Sequence, residues 1–270
     1  MNKILVMLLF VFICFATLLI VLIIRRIKKK KKSIIDIICI VAAVPLCIAT
    51  VITGFCSVYY HALPEAENAL LGNTAVTVTG THGEYFFDGP GTKDLLIFYP
   101  GGKVEYTSYA PLMLNIAESG IDCCIAEMPL NIGFFGIGRA DKIMKKYGYE
   151  RYFIGGHSLG GVSASMYCSG NNEKLSGLIL LGSYPEAELN SSLDVLIIYG
   201  SEDGCLDMER FKANKSMIHG KISEFCIDGG NHAQFGCYGI QQGDGKASVS
   251  PEYQRKVTVE EISEFIQNIE

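Results

Sequence analysis

The chain lacks any C-x-x-C pair and any cysteine–histidine cluster at metal-ligand spacing, which argues against a structural zinc site. No internal repeat and no low-complexity linker is present, so a repeat array is excluded. Beyond residue 60 there is no cluster of basic residues either. Between His61 and Glu270 lie 15 of the 23 Lys and Arg but 27 of the 28 Asp and Glu, a balance of −12. That surface does not suit nucleic acid, whose binding depends on clustered cations neutralising phosphates. Of the ten cysteines, Cys14, Cys39, Cys47 and Cys56 fall in apolar stretches where a small hydrophobe is the default reading. Cys123 and Cys124 sit in a strand-like apolar run and read as buried thiols. Cys205 and Cys237 leave two alternatives open, a disulfide or two free thiols.

The first sixty residues are where the apolar residues concentrate. Ile4 to Ile24 is an uninterrupted apolar run of membrane-spanning length, followed by seven cations in the eight residues from Arg25 to Lys32. A second run extends from Ile34 to Tyr60, with Asp36 near its start and Tyr59 and Tyr60 at its end, as in an aromatic interface belt. A cleaved signal peptide fits poorly, because the charges follow the apolar run and no small-residue cleavage pattern precedes them. The expected organisation is two transmembrane helices joined by a basic loop over 1–60 and a catalytic domain over 61–270. The positive-inside bias puts the loop in the cytoplasm and the domain outside the cell membrane.

After a connector at Leu63 to Gly72, the pattern predicts a hairpin from Ala75 to Thr79 and Gly83 to Phe87. Strands are then expected at Leu95 to Tyr99, Asp122 to Glu127, Arg151 to Gly155, Leu178 to Leu181, Val195 to Tyr199 and Ile222 to Ile227. Helices are expected at Tyr109 to Glu118, Arg139 to Lys146, Leu159 to Cys168, Asp207 to Asn214 and Val259 to Ile269. This alternation predicts an α/β domain, a mostly parallel sheet with helices on both faces. About 210 residues form one core with no room for a large lid domain.

Within that pattern, Gly156-His157-Ser158-Leu159-Gly160 is G-x-S-x-G between an apolar strand and a helix, the setting of a nucleophile elbow. A serine hydroxyl is scarcely ionised at neutral pH, so Ser158 needs a base. Of five histidines, His61 abuts the second apolar run, His82 precedes the main sheet, His219 lies in a polar turn and His157 belongs to the elbow. His232 follows the last strand through a flexible loop, where an imidazole can swing over the carboxyl edge of the sheet. The acid that orients it is Asp203 or its neighbour Glu202, both at the end of the strand Val195 to Tyr199. Asp203 precedes Gly204, which suits a tight turn. The chain order Ser158, Asp203, His232 is the order of hydrolases of this type.

From roughly Leu95 onward the chain resembles a bacterial alpha/beta-hydrolase of the small branch related to dienelactone hydrolases. The resemblance rests on Tyr99-Pro100-Gly101-Gly102-Lys103-Val104, Gly156 to Gly161, Gly200-Ser201-Glu202-Asp203 and Gly229-Gly230-Asn231-His232-Ala233-Gln234-Phe235-Gly236. It implies an alpha/beta-hydrolase fold and a catalytic triad of Ser158, Asp203 and His232, with Asp203 favoured over Glu202. An oxyanion hole is expected from the Leu159 amide and one amide of the turn after Tyr99, Gly102 or the adjacent Lys103. Dienelactone hydrolases use a cysteine where this chain has Ser158, so their substrate class is not carried over. The expected substrate is a small or lipid-like acyl compound, with no cofactor and no metal. Asn131 to Gly138 lines an acyl pocket, forms a small mobile flap or covers the sheet, and Tyr238 to Gly245 is expected to be loop structure after the histidine rather than a substrate contact.

Overall fold

A computed structural model describes residues 3–28 and 34–269, with side chains of the first two helices described in part. Lys29 to Lys32 of the basic run lie outside the described residues, as do the side chains of Cys39 and Cys56. The chain divides into two compact units, Met1–Tyr59 and Tyr60–Glu270. In the first, α1 (Lys3–Lys28) packs against α2 (Ile34–Cys56). Arg25, Arg26 and Lys28 gather in the last turn of α1, where a helix dipole favours cations. Side chains are described without a break from 11 to 28 in α1, with those three cations among them, and from 41 to 55 in α2, besides Leu9, Ile34, Ile37 and Ile38. Among them no helix is long and apolar enough to cross a membrane. The expected pair of spans therefore rests on sequence.

The second unit opens with α3 (Pro64–Ala69) and the hairpin β1 (Thr77–Thr81) and β2 (Glu84–Asp88). There follow β3 (Asp94–Tyr99), α4 (Ala110–Glu118), β4 (Asp122–Ala126), α5 (Arg139–Lys146), β5 (Arg151–His157) and α6 (Leu159–Asn171). The chain ends with β6 (Gly177–Leu181), β7 (Asp194–Gly200), α7 (Met208–Asn214), β8 (Ile222–Ile227) and α8 (Pro251–Gln267). The eight strands make one sheet in the order β1-β2-β4-β3-β5-β6-β7-β8. β2 is antiparallel to both its neighbours and every other pairing is parallel.

Strand alternation sorts the core into two layers. Leu96 and Phe98 of β3, with Phe153 of β5, pack with Met113 and Ile116 of α4 and Ile262 and Ile266 of α8. Leu95, Ile97 and Tyr99 face the other way, with Ile143 of α5, Ala164 of α6 and Phe211 of α7. β5 lies between β3 and β6 in the middle of the sheet, so its carboxyl end is flanked by a paired strand on each side.

The C-terminal helix begins at Pro251, eight residues before the expected Val259. Ser250 caps it by accepting the Tyr253 amide, and Pro251 occupies the first turn. Pro251 to Lys256 carries no apolar periodicity, so only the Ser-Pro cap signalled this start.

Candidate active site

At the end of β5 the backbone turns directly into α6, and Ser158 takes the turn at φ 53°, ψ −125°. A non-glycine residue at positive φ is strained and persists only where its surroundings hold it. Here the Ser158 amide donates to Leu181 O at 2.9 Å, and its carbonyl accepts from Ser183 Oγ at 2.8 Å and the Val162 amide at 3.2 Å. The flanking glycines are needed for close approach. A Cβ on Gly156 would stand 2.4 Å from the Gly160 carbonyl carbon, and one on Gly160 would stand 2.2 Å from Tyr99 O. The hydroxyl is therefore presented at the N-terminus of α6, where the helix dipole favours developing negative charge.

The loop after β8 carries His232 and the loop after β7 carries Asp203. Nδ1 of His232 lies 2.8 Å from Asp203 Oδ2, with side-chain exposures of 2 % and 1 %. The other carboxylate oxygen, Oδ1, accepts the Cys205 and Leu206 amides at 2.9 and 2.8 Å. With Nδ1–H donating to the carboxylate, the neutral ring leaves Nε2 as an acceptor, and that buried atom has no hydrogen-bond partner. Of the two candidate acids, Asp203 meets the histidine. Glu202 is exposed, and among the described residues its carboxylate accepts only from Ser201 Oγ, at 3.3 Å.

Gly182, which follows β6, was not singled out in the sequence. It adopts φ +50°, and a Cβ there would lie 2.9 Å from His232 Nδ1 and 3.0 Å from Asp203 Oδ2. Its absent side chain is the space the pair occupies; the available signal was a glycine closing the apolar run Leu178 to Leu181.

Ser158, Leu159 and His232 line one cavity of about 140 Å3 together with Gly182 and Cys205. A larger cavity of about 510 Å3 lies elsewhere, along the His232 loop and the start of α8. The smaller one is the candidate active site, because it alone of the two contains both Ser158 and His232.

The turn after β3 brings Gly102 against Leu159, since a Cβ on Gly102 would fall 2.6 Å from Leu159 Cδ2. Its three amides differ. Gly101 donates to Tyr109 Oη at 3.0 Å and Lys103 donates to Asn131 O at 2.7 Å. Gly102 keeps an amide with no partner among the described residues, so of the two alternatives it is the one with a donor to offer.

His157 faces the layer of α4 and α8. Its Nδ1 lies 2.8 Å from Tyr109 Oη, and its ring centroid is 4.3 Å from that of His232. Burial, then the neighbouring His232, pushes its pKa well below the usual histidine value. Burial raises that of Tyr109. Tyr109 is thus a phenol that accepts from Gly101 and pairs with a neutral imidazole, linking the turn after β3 to the elbow.

Asp244, in the loop expected to be structural, ties the acid and histidine loops together. Its Oδ1 accepts the amides of Gly204 at 3.1 Å, His232 at 3.2 Å and Gly245 at 2.8 Å, and its Oδ2 accepts Ala233 at 2.8 Å. On the other flank, the Tyr60 amide donates to Lys103 O at 2.7 Å and its hydroxyl accepts the Gln242 amide at 3.1 Å. Phe134 and Phe135 are exposed and do not line the Ser158 cavity, so these two side chains neither wall that cavity nor cover the sheet. Cys205 and Cys237 are free thiols, which settles the disulfide alternative. Among the described residues no group of three His, Cys, Asp or Glu side chains comes together to hold a metal ion.

A family model described as the alpha/beta hydrolase family matches residues 95–256. Among solved structures, Est1E from Butyrivibrio proteoclasticus is 15% identical at a TM-score of 0.51, covering 72% of this chain and 98% of its own. The dienelactone hydrolase from Anabaena variabilis is 11% identical at a TM-score of 0.51, covering 67% and 90%. Alpha/beta hydrolase domain-containing protein 10 from mouse is 10% identical at 0.54, covering 73% and 100%. At these identities the likeness is one of fold. No curated protein matches the chain.

Proposed function

The chain belongs to the alpha/beta hydrolase family, and from that premise we propose that it is a membrane-anchored serine hydrolase that cleaves an ester or related acyl bond. The observation that carries the reading is the buried Asp203–His232 pair beside Ser158, with the serine at a strained elbow and both Ser158 and His232 open to one cavity. Ser158 Oγ attacks the acyl carbon while His232 Nε2 takes its proton. Asp203 holds the tautomer and stabilises the imidazolium. The Leu159 and Gly102 amides receive the oxyanion, a contribution of about 3 kcal/mol per donor in comparable sites. His232 returns the proton to the leaving group, and water then cleaves the acyl-enzyme by the same route.

The test is a fluorophosphonate probe. Wild type is expected to label and Ser158→Ala is not; labelling that persists in the variant overturns the assignment, and folded wild type that never labels indicates a silent binding module. A panel of p-nitrophenyl esters of rising chain length reads out the depth of the acyl site.

The anchor is supported by the apolar runs Ile4 to Ile24 and Ile34 to Tyr60 flanking the basic stretch. It places the hydrolase domain on the outer face of the cell membrane. Protease added to intact cells should digest the domain, and protection until lysis would reverse the orientation.

A further inference from the structure

We infer that the cavity of about 510 Å3 beside the His232 loop is a second binding site, one that takes an aliphatic carboxylate. Its volume falls in the range of roughly 300–1,000 Å3 typical of small-molecule sites. Leu63, Ile240, Ala247 and Pro251 supply an apolar wall. Ile240 is 93 % exposed, an apolar side chain that joins no core and that a bound chain would cover. The charges around the cavity sort by pairing. Glu65 meets Arg255 at 2.9 Å, and the Asp244 carboxylate is engaged by four backbone amides. Lys246 lines the cavity, is exposed, and has no ion-pair partner among the described residues. An apolar wall with a cation held in no ion pair at its edge fits a chain that ends in an anion.

The site touches the catalytic loops through two residues that line it. Asp244 holds the His232 amide, and Asn231, the residue before His232, donates from Nδ2 to Gly245 O at 2.8 Å and from its amide to Gln254 Oε1 at 3.0 Å. A ligand packed against Asn231 and Asp244 bears on the position of His232. An aliphatic carboxylate is also the acid half released when an aliphatic ester is cleaved, so occupancy would report product to the active site. This coupling rests on the hydrolase reading; binding does not.

The experiment uses the full chain in nanodiscs with dodecanoic acid carrying a terminal diazirine. Photolysis is expected to place adducts in peptides spanning 231–255, competed by dodecanoate and not by dodecanol. Ala247→Trp, which fills the cavity, should abolish these adducts, and Lys246→Glu should weaken probe binding roughly fivefold, the scale of one partly exposed charge pair. Adducts confined to other peptides, or unchanged in Ala247→Trp, overturn the site. Equal competition by dodecanol overturns the carboxylate assignment. Should Ala247→Trp fail to fold, Lys246→Glu alters an exposed side chain and decides the matter alone. In the coupling arm, dodecanoate should change kcat for p-nitrophenyl acetate in wild type and not in Ala247→Trp. Adducts at 231–255 in a protein without any turnover would remove the hydrolase reading and leave the site standing.

Discussion

The Tyr109 hydroxyl stands 2.8 Å from His157 Nδ1 while accepting the Gly101 amide at 3.0 Å, both wholly inside the domain. One buried phenol thus joins the turn that offers the Gly102 amide to the residue before Ser158.

Tyr109→Phe leaves the Gly101 N–H and His157 Nδ1 without a partner in the interior. The expected cost is about 2 kcal/mol of stability, measured by urea unfolding. As a positioning residue for the proposed hydrolysis, Tyr109 should show its loss in kcat for ester hydrolysis with KM little changed, because the turn proposed to hold the oxyanion is loosened and the Ser158 cavity is not.

His157 gives the domain an acid-side pH dependence. Burial holds its folded pKa well below the ordinary value of 6.5, so below about pH 6.5 the unfolded chain takes up a proton that the folded protein refuses. Stability is whole above that pH and falls as pH drops toward the folded value, with a slope approaching about 1.4 kcal/mol per pH unit from this one group. In His157→Gln that component disappears. Urea unfolding of both proteins from pH 7 to pH 5 measures the difference in slope.

Gly182→Ala pushes a methyl group to within 3 Å of both His232 Nδ1 and Asp203 Oδ2, at a backbone φ that disfavours any side chain. The protein should fold and lose about 100-fold in kcat, the scale of a displacement near 1 Å in a catalytic group. Fluorophosphonate labelling should slow in parallel, since both reactions need an activated Ser158.

Asp244→Ala removes the acceptor for four amides, including those of Gly204 and His232. The expectation is a loss of about 2 kcal/mol in unfolding free energy, together with faster amide exchange across 231–236 measured by mass spectrometry. Asp244→Asn should recover only part of this, because its NH2 group must face N–H donors.

What the sequence determined by itself is local or ordered along the chain. Apolar runs of four to six residues separated by glycine- and helix-rich stretches imply a parallel sheet, and G-x-S-x-G between strand and helix carries its own backbone requirement. The order Ser158, Asp203, His232 can be read along the chain. What only the tertiary structure decided is direction and pairing. Asp203 and not Glu202 reaches a histidine 29 positions away; both acids lie in the turn after the same strand, and that turn chooses which one faces inward. The spare amide at Gly102 emerges because Asn131 and Tyr109, from two other loops, occupy its neighbours. Tyr109 and His157, 48 positions apart, meet because α4 packs on the sheet face that His157 points into. Gly182 and Asp244 leave no periodic trace, since one acts by the side chain it lacks and the other by bonding backbone that has no sequence signature.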